Sequence, residues 1–219
     1  MRRSITLILF MLLLSCEGQQ KINSHKNLDK SMSDKLEYIT IGGGCFWCVQ
    51  PQFEMLKGVH SVVSGYSGGD KANPTYEEVC TGKTGHAEVI QIEFDPSVIS
   101  YAQLMDVFLF LHDPTQLNRQ GNDIGTQYRS IVLYRNEKQK EGTEKILKES
   151  EARQDWKGKY VTQVVPFEKF WPAESYHQDY YFENPTQPYC SVVTGPKIQK
   201  FLDHYSSLGW LDPEKVRQP

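Results

Sequence analysis

The chain has 219 residues, with 24 Lys and Arg against 27 Asp and Glu, for a formal charge of −3; this length suits one domain, or two small ones, with a real hydrophobic core. Charged residues at 23% and hydrophobic residues at 39% exclude a largely disordered chain, and the lack of a basic block argues against nonspecific binding to nucleic acid. Five cysteines are too few for a disulfide-stapled scaffold, and their odd number leaves at least one with a separate fate, while 12% aromatic residues fit ordinary core filling.

Arg2 and Arg3 precede an apolar run over residues 5–14 that only Thr6 interrupts. A membrane-spanning helix needs roughly 20 residues, so the run reads as the core of a signal peptide. It ends in Leu13-Leu14-Ser15-Cys16, which resembles the lipobox of bacterial lipoproteins. Residues 1–15 are then expected to be removed and Cys16 to carry the lipid anchor; an ordinary secretory signal with an incidental cysteine is the plainer alternative. Losing Arg2 and Arg3 takes the formal charge to 22 − 27 = −5. Residues 16–33 are rich in Gln, Lys, Asn and Ser and read as a flexible tether. One domain over 34–211 and a polar tail over 212–219 complete the expected layout. The expected location is the bacterial cell envelope, facing the periplasm or the surface, held to the membrane by lipid only.

Within the domain, residues 36–41 alternate, with Ile39 and Ile41 on one face, and run into Gly42-Gly43-Gly44. This predicts a strand ending in a tight turn. Over 45–57, Phe46, Val49, Phe53 and Leu56 recur at helical spacing. Pro51 has no N–H and belongs in a first turn, so this helix starts late, near Cys48, or begins irregularly. A second strand is predicted over 59–66, closed by Gly68-Gly69, then a short helix over 74–79 with Pro74 in its first turn. Val89, Ile90, Ile92 and Phe94 mark a strong strand over 87–94, stopped by Asp95-Pro96. A helix over 100–111 takes Ser100 as its cap. A strand over 129–134, a charged, largely solvent-facing helix over 137–152 and a last strand over 160–165 follow. Residues 167–190, dense in aromatics and Pro, predict mostly irregular structure with one short helix near 174–182. Strands and helices at irregular intervals point to an α+β or α/β sandwich.

Chemistry concentrates at Cys45, where three glycines follow a strand and a helix is due to open. Glycines let the backbone turn sharply and let a ligand come close. Unpaired N–H groups and the positive end of a helix dipole favour thiolate, the nucleophilic form of cysteine. A late helix start weakens the dipole argument but not the exposure argument. A buried structural cysteine is the ordinary alternative.

Gly44-Cys45-Phe46-Trp47 resembles the active-site motif of the A-type peptide methionine sulfoxide reductases. So do, in the same order, Asn73-Pro74-Thr75-Tyr76-Glu77-Glu78-Val79-Cys80, Thr84-Gly85-His86-Ala87-Glu88, Asn122-Asp123-Ile124-Gly125-Thr126-Gln127-Tyr128-Arg129-Ser130 and Gln187-Pro188-Tyr189-Cys190. The resemblance spans about residues 36–203, and the motifs are specific as an ordered set rather than singly. It implies an α+β two-layer sandwich of ferredoxin-like type, with a mixed sheet and a long irregular C-terminal segment. It also implies an oxidoreductase that repairs proteins after oxidation by reducing the S-epimer of methionine sulfoxide, free or within proteins and peptides.

The resemblance further implies a site. Cys45 matches the nucleophile and Glu88 the general acid, which must have a raised pKa to donate a proton near neutral pH. Tyr76 and Tyr128 match two hydroxyl donors to the developing charge on oxygen. Asp123 matches a further polar residue acting through a water. Phe46 and Trp47 match the walls of a pocket for the S-methyl group. The sulfenic acid left on Cys45 needs a second thiol. Cys190 matches a recycling cysteine on a flexible, Pro-flanked segment and is favoured; Cys48, where the commonest family form has Gly, is the alternative or a second relay. Cys80, in the apolar part of a short helix, reads as structural. His177, in the family-like Tyr176-His177-Gln178, reads equally well as a hydrogen-bonded structural histidine. Gln50 departs from a common Glu. No bound cofactor or metal is implied; the reductant would be an external thioredoxin-like dithiol protein, and the enzyme a monomer.

Two other classes compete. Cys45-Phe46-Trp47-Cys48 is a C-x-x-C, so a thioredoxin-like disulfide oxidoreductase of the envelope is one, though it leaves the Thr84–Glu88 block and Cys190 without a role. A metal-binding or purely structural lipoprotein is the other, but a single C-x-x-C lacks the second ligand pair of a structural zinc site. The Gly42 to Gly44 run also lacks the pattern of a dinucleotide site.

Overall fold

Ile39 and Ile41 are fully buried on one side of β1 (Glu37–Gly42), as their alternation requires. The structure, a computed structural model, describes residues 36–217. The expected signal segment, Cys16 and the tether lie outside the described residues, as do the last two residues of the tail.

β1, β2 (Val59–Ser67), β3 (Ala87–Phe94) and β6 (Ile131–Tyr134) form the middle of the sheet in the order β6-β1-β3-β2. All neighbours there are antiparallel, with Ile39 and Val62 both opposite Ile92. The chain passes from β1 to β2 through α1 (Gln50–Glu54), and from β3 to β6 through α3 (Tyr101–Leu111). Two such strand-helix-strand units, interleaved in this order, give the ferredoxin-like core. β7 (Gln163–Pro166) adds parallel to β6, and β8 (Phe170–Pro172) adds antiparallel to β2, so the finished sheet is mixed and six-stranded.

β3 is buried on both faces, and its period of two decides what faces what. Ile90, Ile92 and Phe94 join the main core with Phe53 of α1 and Leu104 and Phe108 of α3. Ala87 and Val89 point the other way, into a smaller cluster with Ile131 and Leu133. Glu88 is in register with Ile90, so it enters the main core as a carboxyl among apolar side chains.

Several elements depart from expectation. The segment over 45–57 is a single 3-10 turn, Phe46–Cys48, followed by α1, and Pro51 sits in the first turn of α1. The helix start is therefore late, as a missing N–H demands. The helix predicted over 137–152 is α4 (Glu137–Arg153), and the short helix over 74–79 is α2 (Tyr76–Cys80). The strand expected over 160–165 is confined to β7, where it pairs with β6. β8 is a strand where irregular structure is expected, and the small hairpin of β4 (Arg119–Gln120) and β5 (Asp123–Ile124) and α6 (Gly195–Tyr205) carry no sequence expectation. Pro196 occupies the first turn of α6, where its ring is tolerated. Past α5 (Tyr180–Glu183), Cys190 lies in a π-helical turn, Cys190–Thr194, continuous with α6 rather than on an irregular segment. The tail is docked: Asp212 N–H donates to the Met55 carbonyl and Lys215 to that of Val59.

Ser100 caps α3 as expected. Its hydroxyl accepts from Gln103 N–H while the Gln103 side chain accepts from Ser100 N–H. Ser100→Ala should therefore lower unfolding free energy by about 1 kcal/mol, read by urea titration. A loss below a few tenths of that would mean the cap is not holding the helix.

Candidate active site

The Gly42-Gly43-Gly44 turn brings Cys45 across the end of β3. A Cβ on Gly42 would lie 2.5 Å from the Glu88 carbonyl oxygen, and Gly44 has φ +102°, a conformation that side chains resist. Cys45 then caps the 3-10 turn in an extended conformation. It stands ahead of a single turn and not of a regular helix, so the turn's own N–H groups, not a helix dipole, set its surroundings.

One of those groups makes the central contact. Phe46 N–H donates to Glu88 Oε2 at 3.1 Å. Glu88 is 1% exposed, and its Oε1 has no protein partner. Burial pushes its pKa up to about 8 against the Phe46 N–H, with the Asp123 charge adding to the rise. A neutral carboxyl therefore sits beside Cys45 near neutral pH, bonded to the Phe46 N–H and in hydrogen-bonding reach of the Cys45 thiol.

The three thiols are graded. Cys45, 8% exposed, is hydrogen-bonded to Cys48, and burial raises its pKa well above the ordinary value, with Cys48 and the Glu88 charge adding. Cys48 is the reverse. The bond from Cys45 lowers it to about 6 against burial, helped by the Lys197 charge, Thr194 and Tyr189. Burial thus favours the protonated form of Cys45, and the bond from Cys45 favours the charged form of Cys48. Cys48 Sγ lies 3.2 Å from Thr194 Oγ1 and 3.5 Å from Tyr189 Oη. Cys190 is buried nearby, and its pKa is raised by burial and then by the Cys48 charge. Cys48 thus touches Cys45 on one side and is close enough to charge Cys190 on the other. Cys80 is exposed, not structural core. Val79 takes the inward position of α2, and Cys80 instead meets the Tyr76 hydroxyl.

Aromatic side chains wall the site. Trp47 stacks on Tyr180 with centroids 3.8 Å apart, and its indole N–H donates to His177 Nδ1 at 3.1 Å. His177 also contacts Phe46 and Tyr76 with centroids at 5.1 and 4.4 Å. Burial lowers its pKa, so the neutral ring accepts from Trp47 and orients it. Tyr76 and Tyr128 are half-buried, and burial and the Glu88 charge raise the pKa of both hydroxyls. They remain donors throughout the working pH range. Glu174 accepts from Tyr76 N–H and from Tyr66 Oη, both at 2.9 Å, and so ties α2 to β2. Gln50 is buried and bonds Glu54, Val62 and Ser64, a bracing role.

The structure therefore gathers Cys45, Phe46, Trp47, Cys48, Tyr76, Glu88, Tyr128 and Cys190 around one point. Asp123 joins them through a protein group: Tyr189 Oη donates to Asp123 Oδ2 at 2.5 Å. Tyr66, Glu174, Tyr180 and Tyr189 are missing from the sequence reading. For Tyr189 the signal is present, since it precedes Cys190 in a quoted motif; for the others only spatial neighbours identify them. A cavity of 610 Å³ lined by Asp106, Phe110, Trp156, Lys200 and His204 shares no residue with this site. Among the described residues, no group of three or more His, Cys, Asp or Glu gathers as a metal cage.

The family described as peptide methionine sulfoxide reductase matches residues 37–208. The chain is 54% identical over 170 residues to peptide methionine sulfoxide reductase MsrA of Sulfolobus acidocaldarius, covering 78% of this chain and 96% of that protein. It is 56% identical over 161 residues to the MsrA of Nautilia profundicola, covering 74% and 91%. Among solved structures it resembles reduced Mxr1 from Saccharomyces cerevisiae, with TM-score 0.67, 34% identity and coverage of 72% of this chain and 90% of the other. It also resembles methionine sulfoxide reductase A of Corynebacterium diphtheriae, with TM-score 0.63, 34% identity and coverage of 70% and 77%.

Proposed function

This chain belongs to the peptide methionine sulfoxide reductase family and reduces methionine sulfoxide to methionine, and on that premise we propose how its residues divide the reaction. The observation that carries the assignment is the buried Glu88 carboxyl bonded to the N–H beside Cys45.

Methionine sulfoxide enters with its S-methyl group against Phe46 and Trp47. Cys45 attacks the sulfoxide sulfur, passing its proton to the Cys48 thiolate that it already contacts. Glu88 protonates the oxygen, and the Tyr76 and Tyr128 hydroxyls donate to it as charge develops. The oxygen transfers to Cys45, so the sulfoxide is reduced by two electrons, methionine leaves and Cys45 is a sulfenic acid. The preference for the S-epimer rests on family resemblance.

Cys48 then attacks the Cys45 sulfur. The sequence alone favours Cys190 for this step, but the contact with Cys45 and the lowered pKa support Cys48 as first resolver. Cys190 next attacks Cys48, forms a Cys48–Cys190 disulfide and frees Cys45. The π-helical turn carrying Cys190 supports that exchange, since such turns are weakly held and recur at functional sites. An external thioredoxin-like dithiol completes the cycle by thiol–disulfide exchange. Oxidised proteins and peptides are the proposed substrates, the enzyme acts as a monomer, and lipid on Cys16 holds it in the cell envelope. Membership of the family displaces the thioredoxin-like alternative.

Mass spectrometry after one equivalent of sulfoxide tests the order. The wild type should pass through Cys45–Cys48 to Cys48–Cys190. Cys190→Ser should stop at Cys45–Cys48 after one methionine. A direct Cys45–Cys190 bond that forms equally fast in Cys48→Ser would refute Cys48 as first resolver.

A further inference from the structure

Once Cys48 has taken the proton of Cys45, it is a thiol and must lose that proton before it can attack. Its surroundings contain one continuous route. Cys48 Sγ–H donates to Tyr189 Oη at 3.5 Å, and Tyr189 O–H donates to Asp123 Oδ2 at 2.5 Å. The donors run in one direction, from sulfur to hydroxyl to carboxylate. We propose that Tyr189 is a further catalytic residue of the resolving step, passing its hydroxyl hydrogen to Asp123 as it takes the Cys48 proton, which then stays on Oη and donates back to the Cys48 sulfur. This deepens the reading above and rests on Cys48 as first resolver.

The hydroxyl has two arrangements. With Cys48 a thiol, Tyr189 accepts from sulfur and donates to Asp123. With Cys48 a thiolate, it donates the hydrogen it has received back to sulfur, and Asp123 holds the relayed proton until it passes to solvent. Tyr189 cannot itself ionise here, since burial and the Cys45 and Cys48 charges hold its pKa far up, so it can only pass a proton on. The balance is closed: Cys48 thiolate forms the S–S bond as the S–O bond of the Cys45 sulfenic acid breaks. The oxygen leaves as water with a proton from Glu88, restored from solvent.

Tyr189 is also peptide-bonded to Cys190, and its ring meets the edge of Trp47 at 6.0 Å. When Cys48 enters a disulfide, its sulfur loses the negative charge to which Tyr189 donates. Tyr189, which leads into the π-helical turn, then loosens its hold on Cys48 at the stage when Cys190 must move, while Thr194 within the turn keeps its own contact.

Cys48 is faced by Cys45 on its own turn, Glu88 from β3, Asp123 from β5, Tyr189 and Cys190, and Lys197 from α6, so the test must separate a relay from plain charge. In the full chain carrying Cys80→Ser and Cys190→Ser, thiolate absorbance is titrated against pH. Tyr189→Phe should move the midpoint up by about one pH unit, the scale of one lost bond to an anion. Asp123→Asn should move it down, because Tyr189 is then free to serve the sulfur. With Tyr189→Phe already present, Asp123→Asn should move it little. Equal Asp123→Asn shifts in both backgrounds would overturn the relay, because the carboxylate would then act through space. In the four-cysteine enzyme, Tyr189→Phe should let a sulfenic acid trap label Cys45 where the wild type escapes; equal labelling would overturn it too. A wild type whose first disulfide is Cys45–Cys190 would defeat Cys48 as resolver while leaving the titration shifts as they are. Absence of those shifts would defeat the relay whichever disulfide forms first.

Discussion

Replacing Cys45 by Ser should reduce methionine formation by roughly 10⁴-fold or more, because a hydroxyl in place of this thiol cannot attack sulfur at accessible pH. The loss should appear in the first turnover, before any recycling. Cys48→Ser and Cys190→Ser differ in kind: each should still release one methionine per protein and fail afterwards. Cys45 is only 8% exposed and Ser is slightly smaller, so the fold should persist with a melting temperature near that of the wild type. A folded Cys45→Ser protein that keeps releasing methionine would end the nucleophile assignment.

Glu88→Gln should slow methionine release by about 10²- to 10⁴-fold at neutral pH, the range for a lost general acid. The amide oxygen can still accept from Phe46 N–H, so the loss would report the proton and not the turn. In the wild type, first-turnover rate should fall as pH rises through about 8, where Glu88 loses its proton. The apparent midpoint belongs to the cluster, because Cys45, Cys48 and Glu88 feel one another. A variant that matches the wild type in rate and pH profile would remove Glu88 as the acid.

The same substitution makes an opposite prediction for stability. Glu88 has a pKa of about 8 when folded against 4.5 as a free side chain, so over that window the folded state holds a proton that the unfolded state has lost. Stability must therefore fall as pH rises from about 4.5 to 8, at up to roughly 1.4 kcal/mol per pH unit from this group. Glu88→Gln removes that slope. The variant should gain on the wild type in unfolding free energy between pH 5 and 8 while losing activity, as expected where a site carries a strained, desolvated acid. Parallel stability curves would mean that the carboxyl is solvated.

Local pattern carried most of the framework. Alternation in β1 and β3 and the Ser100 cap are decided within a few residues and agree with the structure, whereas the helical spacing of Phe46, Val49, Phe53 and Leu56 is divided between a 3-10 turn and α1. The elements that escaped notice are those held from outside. β8 is a strand because β2 offers it an edge, and α6 follows a π-helical turn with Pro196 in its first turn. Cys80 is exposed for a related reason: in α2 one turn offers one inward position, and Val79 takes it.

The sequence by itself determined the family, the positions of the main strands and the inventory of reacting groups, because motifs and periodicity are properties of neighbours along the chain. Only the tertiary structure decided the order of the thiols, the raised pKa of Glu88 and the link from Asp123 through Tyr189 to Cys48. Burial, charge and hydrogen-bond direction depend on residues 42 to 146 positions apart, such as Phe46 with Glu88 and Cys48 with Thr194. No local pattern encodes those distances; they exist once β3 carries Glu88 inward and the π-helical turn closes over Cys48.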